Sequence, residues 1–326
     1  MIDNLAETAS AAFGQMLHLL DRMIFNSSFV AAVMLVLLVL AVDFHRRFYR
    51  FDWPRRMVES VCANISIYAV NIAFAPAVYL TADWVQSVYD GLGVPHIDPQ
   101  IWQDASPWLL APLAVLAHDF ANYWNHRLMH RKALWPIHAI HHSDPDVTGL
   151  TAYRVHFLEP FVMFASYTVL LSWLGFPKDA MGLGALFIGL HTVYVHINVD
   201  WGHGPLRLVI ASPRFHRWHH ANVPEAYGKN LANLFPFFDL LFGTYYLPGR
   251  CIAAMGAPDV PENDVARLVL YPFTEWRRAI AAAAAGAMDR ETAGRRHPAD
   301  AAANPDHHDE TSAAPLNPAQ PDAVST

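Results

Sequence analysis

The sequence predicts an all-α integral membrane protein: a bundle of four to five transmembrane helices with a cytoplasmic, histidine-rich helical cap. Three observations predict it. First, 54% of the 326 residues are hydrophobic and only 16% are charged, with a mean hydropathy of +0.17, whereas a soluble domain carries about a quarter charged residues. Second, the apolar residues gather into runs that approach the about 20 residues needed to cross a bilayer. Third, histidine is in excess: there are 19 copies, 13 of them between His118 and His220. The same composition excludes a disordered, collagen-like or disulfide-stapled chain. A net charge of −7 and a pI near 6.2 argue against nucleic acid as a partner. Cys62 and Cys251 are the only cysteines, so a disulfide framework or thiolate metal site is excluded too.

Each element follows in order. Asp3 and Glu7 stand where a signal peptide would be basic, so residues 1–22 read as a short amphipathic helix at the membrane interface. Residues 29–42 form the first apolar run, extended to spanning length by residues 23–28. Residues 58–80 form the second, interrupted only by Asn64 and Asn71. With the loop at 83–106, residues 23–106 make the first two transmembrane helices and an outer loop. A third run, 107–117, flows directly into HDFANYW, and runs at 158–176 and 180–199 form a hairpin around Gly175, Phe176 and Pro177. The histidine groups all fall in residues 107–280. From Ala281 to Thr326 the composition turns to Ala, Pro, Asp and Thr, which predicts a disordered tail with a solvated His307–His308 pair.

Loop charge sets the orientation. Arg46, Arg47, Arg50, Arg55 and Arg56 lie between the first two runs, while the next loop holds Asp83, Asp90, Asp98 and Asp104 and no Lys or Arg. The positive-inside rule places the first loop in the cytoplasm, the second outside, and the N-terminus outside. Threading onward returns residues 126–156 and 201–271 to the cytoplasm, along with the C-terminal tail. One topology thus puts every histidine group on the same side.

Three groups stand out: His126-x-x-x-His130, His138-x-x-His141-His142 and His216-x-x-His219-His220. On a helix, positions i, i+3 and i+4 share a face about 5–6 Å apart, so each group can aim its imidazoles at one point. Imidazole suits iron, zinc, copper and nickel. Eight such residues exceed the needs of one tetrahedral zinc and favour a two-metal centre. A single histidine group beside an apolar run is usually structural; three on one predicted membrane face are not. A zinc protease helix would carry Glu after the first His of H-x-x-x-H, where this chain has Arg127. There is no G-x-S-x-G elbow either.

The segments HDFANYWNHRLMH, LWPIHAIHHSDPDVTGLTAYRVHFLE and HINVDWG through SPRFHRWHH, GKN and FDLLFGTYY resemble the fatty acid hydroxylase/sterol desaturase superfamily in order and spacing, over residues 107–246. The resemblance implies that residues 107–280 are a fatty acid hydroxylase-like di-iron catalytic domain. It implies an integral membrane enzyme that uses O2 and electrons to hydroxylate or desaturate a lipid. The ligands it implies are His126, His130, His138, His141, His142, His216, His219 and His220, with His196 as a further one on the hairpin. His118, two helical turns before His126, is a candidate tenth ligand; His191 reads as packing and His156 as a residue behind the ligands or a structural one. Asp119, Asp144 and Glu159 are candidate acceptors for imidazole N–H groups, with a helix cap or ion pair the equal alternative. Asn230 and Asp239 match family positions and read as structural, and His203 as a loop residue.

The implied cofactors are two iron ions, with O2 as co-substrate. The chain has no HPGG haem signature and no flavin or dinucleotide glycine motif, so the reductant is expected to be a separate ferredoxin or cytochrome b5-like protein. Two other classes compete. A metal transporter or sensor would thread histidines and acids through the spans, but here the outer loop has only His96. A zinc hydrolase would need the missing general base.

Overall fold

The computed structural model describes residues 55–295. The predicted N-terminal amphipathic helix, the first apolar run and residues 296–326 lie outside the described residues. The described residues are helical throughout and contain no strand, only an isolated antiparallel bridge between Ala221 and Met255.

Helix α1, Arg55–Gly91, is 37 residues long and is the one helix among the described residues long and apolar enough to cross a membrane. At 1.5 Å per residue it measures about 55 Å, well beyond a hydrocarbon core of about 30 Å. It overruns the predicted span at both ends. Asp83 and Asp90, expected in an outer loop, lie on this helix, which runs on through Pro76 and ends only at Gly91, before the left-handed Gly93. Met57, Ser60, Ala63, Asn64 and Ile67 form its buried stripe. Its opposite side exposes Ile65, Tyr68, Ile72, Tyr79, Leu80 and Trp84, an apolar exterior unlike that of a soluble helix.

Helix α2, Pro107–Met129, starts at an N-cap Ser106 with Pro107 at N1 and joins the third apolar run to HDFANYWNH without a break. His130 caps its C-terminus. Helix α3, Trp135–His142, is eight residues long and buried from Pro136 onward. Helices α4, Leu158–Leu174, and α5, Lys178–His196, form the predicted hairpin. Gly175 turns it in a left-handed conformation (φ 62°), and a Cβ there would collide with the Ile97 carbonyl. Helix α1 packs on α4, α4 on α2, and α2 on α5. Gly184 of α5 makes the last contact close: a Cβ there would lie 2.6 Å from the His118 ring and 3.0 Å from the Ala114 backbone.

Helix α6, Pro213–His219, opens on an N-cap Ser212 and packs on α5. A short α7, Phe237–Leu241, follows, and α8 runs from Val265 to Arg295. The chain divides into two compact units after Trp276, within α8. The helix continues through residues 281–295, and the alanines of AAAAAGAM have the highest helix propensity of any residue.

A buried polar network ties α1 to the loop after α3. Asp144 accepts hydrogen bonds from Ser60 (2.6 Å), Asn64 (3.0 Å) and Thr151 (2.6 Å). Arg154, fully buried, donates to Asn64, to Ser143, and to the backbone carbonyls of Ile140 and Glu262. Burial pushes the Asp144 carboxyl up, but Arg154 and the three side-chain donors outweigh it and hold it below its ordinary value.

Candidate metal centre

Nine histidines converge in two groups. His126, His130, His138, His142 and His219 form one, and His141, His196, His216 and His220 the other; within each, one nitrogen per ring lies within 4.8 Å of all the rest. Helix periodicity sorts them. On α3 the i and i+4 residues His138 and His142 go to the first group, and His141, between them, goes to the second. On α6 His216 and His220 share one face, while His219 turns to the other group. Each metal site therefore draws on several elements, and α3 and α6 contribute to both.

Outer hydrogen bonds aim the rings. His126 Nδ1 donates to the Leu231 carbonyl (2.7 Å), His219 Nδ1 to Lys229 (2.7 Å) and His196 Nδ1 to Thr192 (2.6 Å). His138 Nδ1 donates to both Glu159 oxygens, at 3.1 and 3.2 Å. A carbonyl or carboxylate only accepts, so Nδ1 carries the proton in each ring and Nε2 presents a bare lone pair. The lone pairs of His126 and His138 face one another, their Nε2 atoms 3.1 Å apart, and His196 Nε2 lies 2.9 Å from Nε2 of His216, whose Nδ1 has no partner. Two acceptors at that distance repel unless a cation lies between them. Two nitrogens bound at right angles to one ion, each at about 2.1 Å, would be about 3.0 Å apart. Nε2 of His130, His142 and His219 is buried with no protein partner. The residues therefore fit metal ions.

The electrostatics agree. Burial lowers the pKa of His141, His142, His216 and His220 well below the ordinary value, and neighbouring imidazoles lower it further. Burial takes His219 to about 3, despite the Lys229 carbonyl, which raises it. At neutral pH these rings are uncharged and able to ligate.

The remaining candidates fall elsewhere. His118 joins neither group; its Nδ1 donates to Ala114 (2.9 Å), and the ring lines a cavity beside Tyr167. His191 also lies outside both groups and packs against Tyr194. His156 donates to Val269 and accepts from the Leu158 N–H, which pins the start of α4 to α8. His203 caps a 3-10 turn at φ 56°. Of the three acids expected to hold imidazoles, only Glu159 does. Asp119 instead accepts the N–H groups of Asn233, Leu234 and Phe235, and Asp144 anchors α1. Asn230 adopts φ 56° and bonds Phe215 and Tyr246. Asp239 holds the N–H groups of Leu231 and Ala232, and so the loop whose carbonyl aims His126.

Sequence reasoning missed Arg154, Ser60, Asn64 and Thr151. Asn64 was legible only as a polar break in an apolar run. It also missed the backbone carbonyls behind His126, His196 and His219, which no side-chain pattern announces.

Two cavities meet the histidines. One, of about 600 Å³, runs between α2, α4 and α5 and touches His126, His138, His141, His196 and His216. Its walls are chiefly apolar (Met129, Val155, Met163, Phe164, Leu171, Ile188), and it reaches Gln86 and Ser172 near the far end of α4. Glu159 and Ser172 both line it, thirteen residues apart along α4, so it is about 20 Å deep. The other, of about 490 Å³, touches His130, His142, His219 and His220.

Fold and site together define a helical protein with two histidine groups able to hold metal at the end of an apolar cavity. Residues 111–244 match the fatty acid hydroxylase family model. Over these residues the chain resembles the fatty acid hydroxylase family, and the relatives it is similar to include a lipid hydroxylase and a sterol desaturase. It is 33% identical over 186 residues to the ornithine lipid hydroxylase OlsE of Rhizobium tropici, covering 56% of this chain and 53% of that protein. It is 31% identical over 145 residues to the human alkylglycerol monooxygenase, covering 44% of this chain and 32% of that protein. A sterol 5(6)-desaturase of Gibberella zeae is 27% identical over 206 residues, covering 61% of this chain and 55% of that protein. The chain thus spans about half the length of the first of these relatives and about a third of the second. No solved structure matches it.

Proposed function

We propose that this chain is a membrane-bound di-iron oxygenase that uses O2 and electrons to hydroxylate a C–H bond of a lipid. Desaturation is the alternative outcome at the same site. The observation that carries the reading is the placement of two convergent histidine groups at the end of an apolar cavity about 20 Å deep. The names of the relatives, a lipid hydroxylase, an alkylglycerol monooxygenase and a sterol desaturase, support oxidation of a lipid.

His126, His130, His138, His142 and His219 would hold one ion, and His141, His196, His216 and His220 the other. Iron bound there supplies the oxidising chemistry with O2 that breaks an unactivated C–H bond. The chain's own contribution is positional. Glu159 and the carbonyls of Leu231, Lys229 and Thr192 keep each Nδ1 proton in place, so Nε2 stays free to bind. Met129, Met163, Leu171 and Ile188 receive a hydrocarbon chain and exclude water from the reacting carbon. Electrons come from a separate ferredoxin or cytochrome b5-like protein. The topology that fits is four to five spans, with the histidines and C-terminus cytoplasmic, the N-terminus outside, and residues 107–280 as the catalytic domain.

The test is metal content. The chain, purified in detergent without a histidine tag, should hold two irons, and His142→Ala and His220→Ala should each lower the count. Ferrous-loaded protein should then consume O2 in the presence of lipid and reductant. Absence of metal, or zinc unaffected by either substitution together with no O2 uptake after ferrous loading, overturns the reading.

A further inference from the structure

The histidines divide by the cavity they face. His126, His138, His141, His196 and His216 line the apolar cavity, while His130, His142, His219 and His220 line the second; none lines both. Each metal group supplies residues to both cavities, so each ion position is approached from two sides. The two approaches differ in chemistry. A hydrated divalent cation entering the apolar cavity would shed its water against Met and Leu side chains, at a large desolvation cost. Besides its histidines, Trp135 and Ala221, the second cavity is lined by the loop residues Tyr227, Gly228, Gly256, Ala257 and Pro258. Pro258 is exposed, Tyr227 is 54% exposed with its hydroxyl donating to Asn222, and His130 is only half-buried. The unpartnered Nε2 atoms of His130, His142 and His219 belong to residues on this wall.

We propose that the second cavity is the water-side port of the metal centre, through which divalent cations and other small hydrophilic solutes reach the histidines while lipid fills the apolar cavity. The port rests on the metal-binding reading above, and it assigns a task to Tyr227 and Ala257, which stand outside both histidine groups. Tyr227 and Ala257 both line this cavity, Ala257 also packing against the Ile67–Ile140–Leu268 cluster, so the bulk of their side chains sets the rate at which a cation passes and leaves the affinity of the site unchanged.

The experiment measures release. Full-length protein in detergent is loaded with Fe2+, counted, and mixed with excess ferrozine, and the coloured complex is followed with time. Tyr227→Ala should release iron several-fold faster, and Ala257→Phe several-fold slower. Ala185→Phe, which narrows the apolar cavity, should leave the rate unchanged. Equilibrium iron content should be the same in all four proteins. Slowing by Ala185→Phe with no effect of Ala257→Phe would move the route to the lipid side and overturn the proposal, as would equal rates throughout. If Ala257→Phe fails to fold, Tyr227→Ala decides alone. A wild-type chain that binds no iron would instead sink the metal reading on which the port depends.

Discussion

Among the described residues Glu159 is the one acid that hydrogen-bonds a ring of the histidine groups, so its removal isolates what an outer hydrogen bond contributes to metal binding. It is 7% exposed, and both its oxygens lie within 3.2 Å of His138 Nδ1. A hydrogen bond to a charged acceptor contributes about 1.5–3 kcal/mol. At about 1.4 kcal/mol per tenfold, Glu159→Ala should weaken metal binding about 10- to 100-fold, the range found for such outer partners. Glu159→Gln keeps an amide oxygen for the same N–H but loses the charge. Neutral hydrogen bonds are about half as strong, so this variant should lose only about 3- to 10-fold. The assay is a competition titration of purified protein with Fe2+ or Co2+ against a chelator of known affinity, at pH 7.5. Unchanged affinity in Glu159→Ala would refute the argument that Glu159 fixes the ring of His138. A Glu159→Gln protein as weak as Glu159→Ala would refute the assignment of half the effect to charge.

Three further outcomes follow from the packing. Arg154→Met leaves Asp144 without its opposing charge in a fully buried network, which costs about 3–5 kcal/mol and should lower the thermal unfolding midpoint in detergent; the double variant with Asp144→Asn should recover part of the loss. Gly175→Ala places a Cβ against the Ile97 carbonyl at a left-handed φ of 62° and should destabilise by more than about 1 kcal/mol, seen as a lower unfolding midpoint with the metal sites unaltered. Chelator-treated protein should lose stability as pH falls. The buried rings stay neutral when folded, with His219 protonating only near 3, whereas unfolded histidines take up protons from about 6.5 downward. Each such ring contributes a slope of up to about 1.4 kcal/mol per pH unit across that window, so an unfolding midpoint that is flat between pH 7.5 and 5 would contradict the burial of the histidines.

The sequence by itself carried the helical class, the α4–α5 hairpin around Gly175 and, by spacing, eight of the nine histidines that converge; His196 came only through the family resemblance. Hydrophobic runs and i, i+3, i+4 spacing are local properties, set by the helix repeat before any tertiary contact forms. The partition of those histidines was not local. His141 and His142 are adjacent in the chain yet serve different groups, because a 100° turn per residue sends them to different faces of a helix buried between two ligand sets. The roles of the acids were equally hidden. Asp119, Asp144 and Glu159 look alike beside histidines in the sequence, but Asp119 caps a loop 114 residues away and Asp144 reaches back 84 residues to Ser60. The extent of α1 past its apolar run and the helical course of α8 to Arg295 were not legible for a related reason: hydropathy marks where a chain is greasy, not where its backbone stops being helical. Which lone pairs meet, and which cavity each faces, was decided only by the packing of α2, α3, α5 and α6, since that alone brings residues from His126 to His220 into one place.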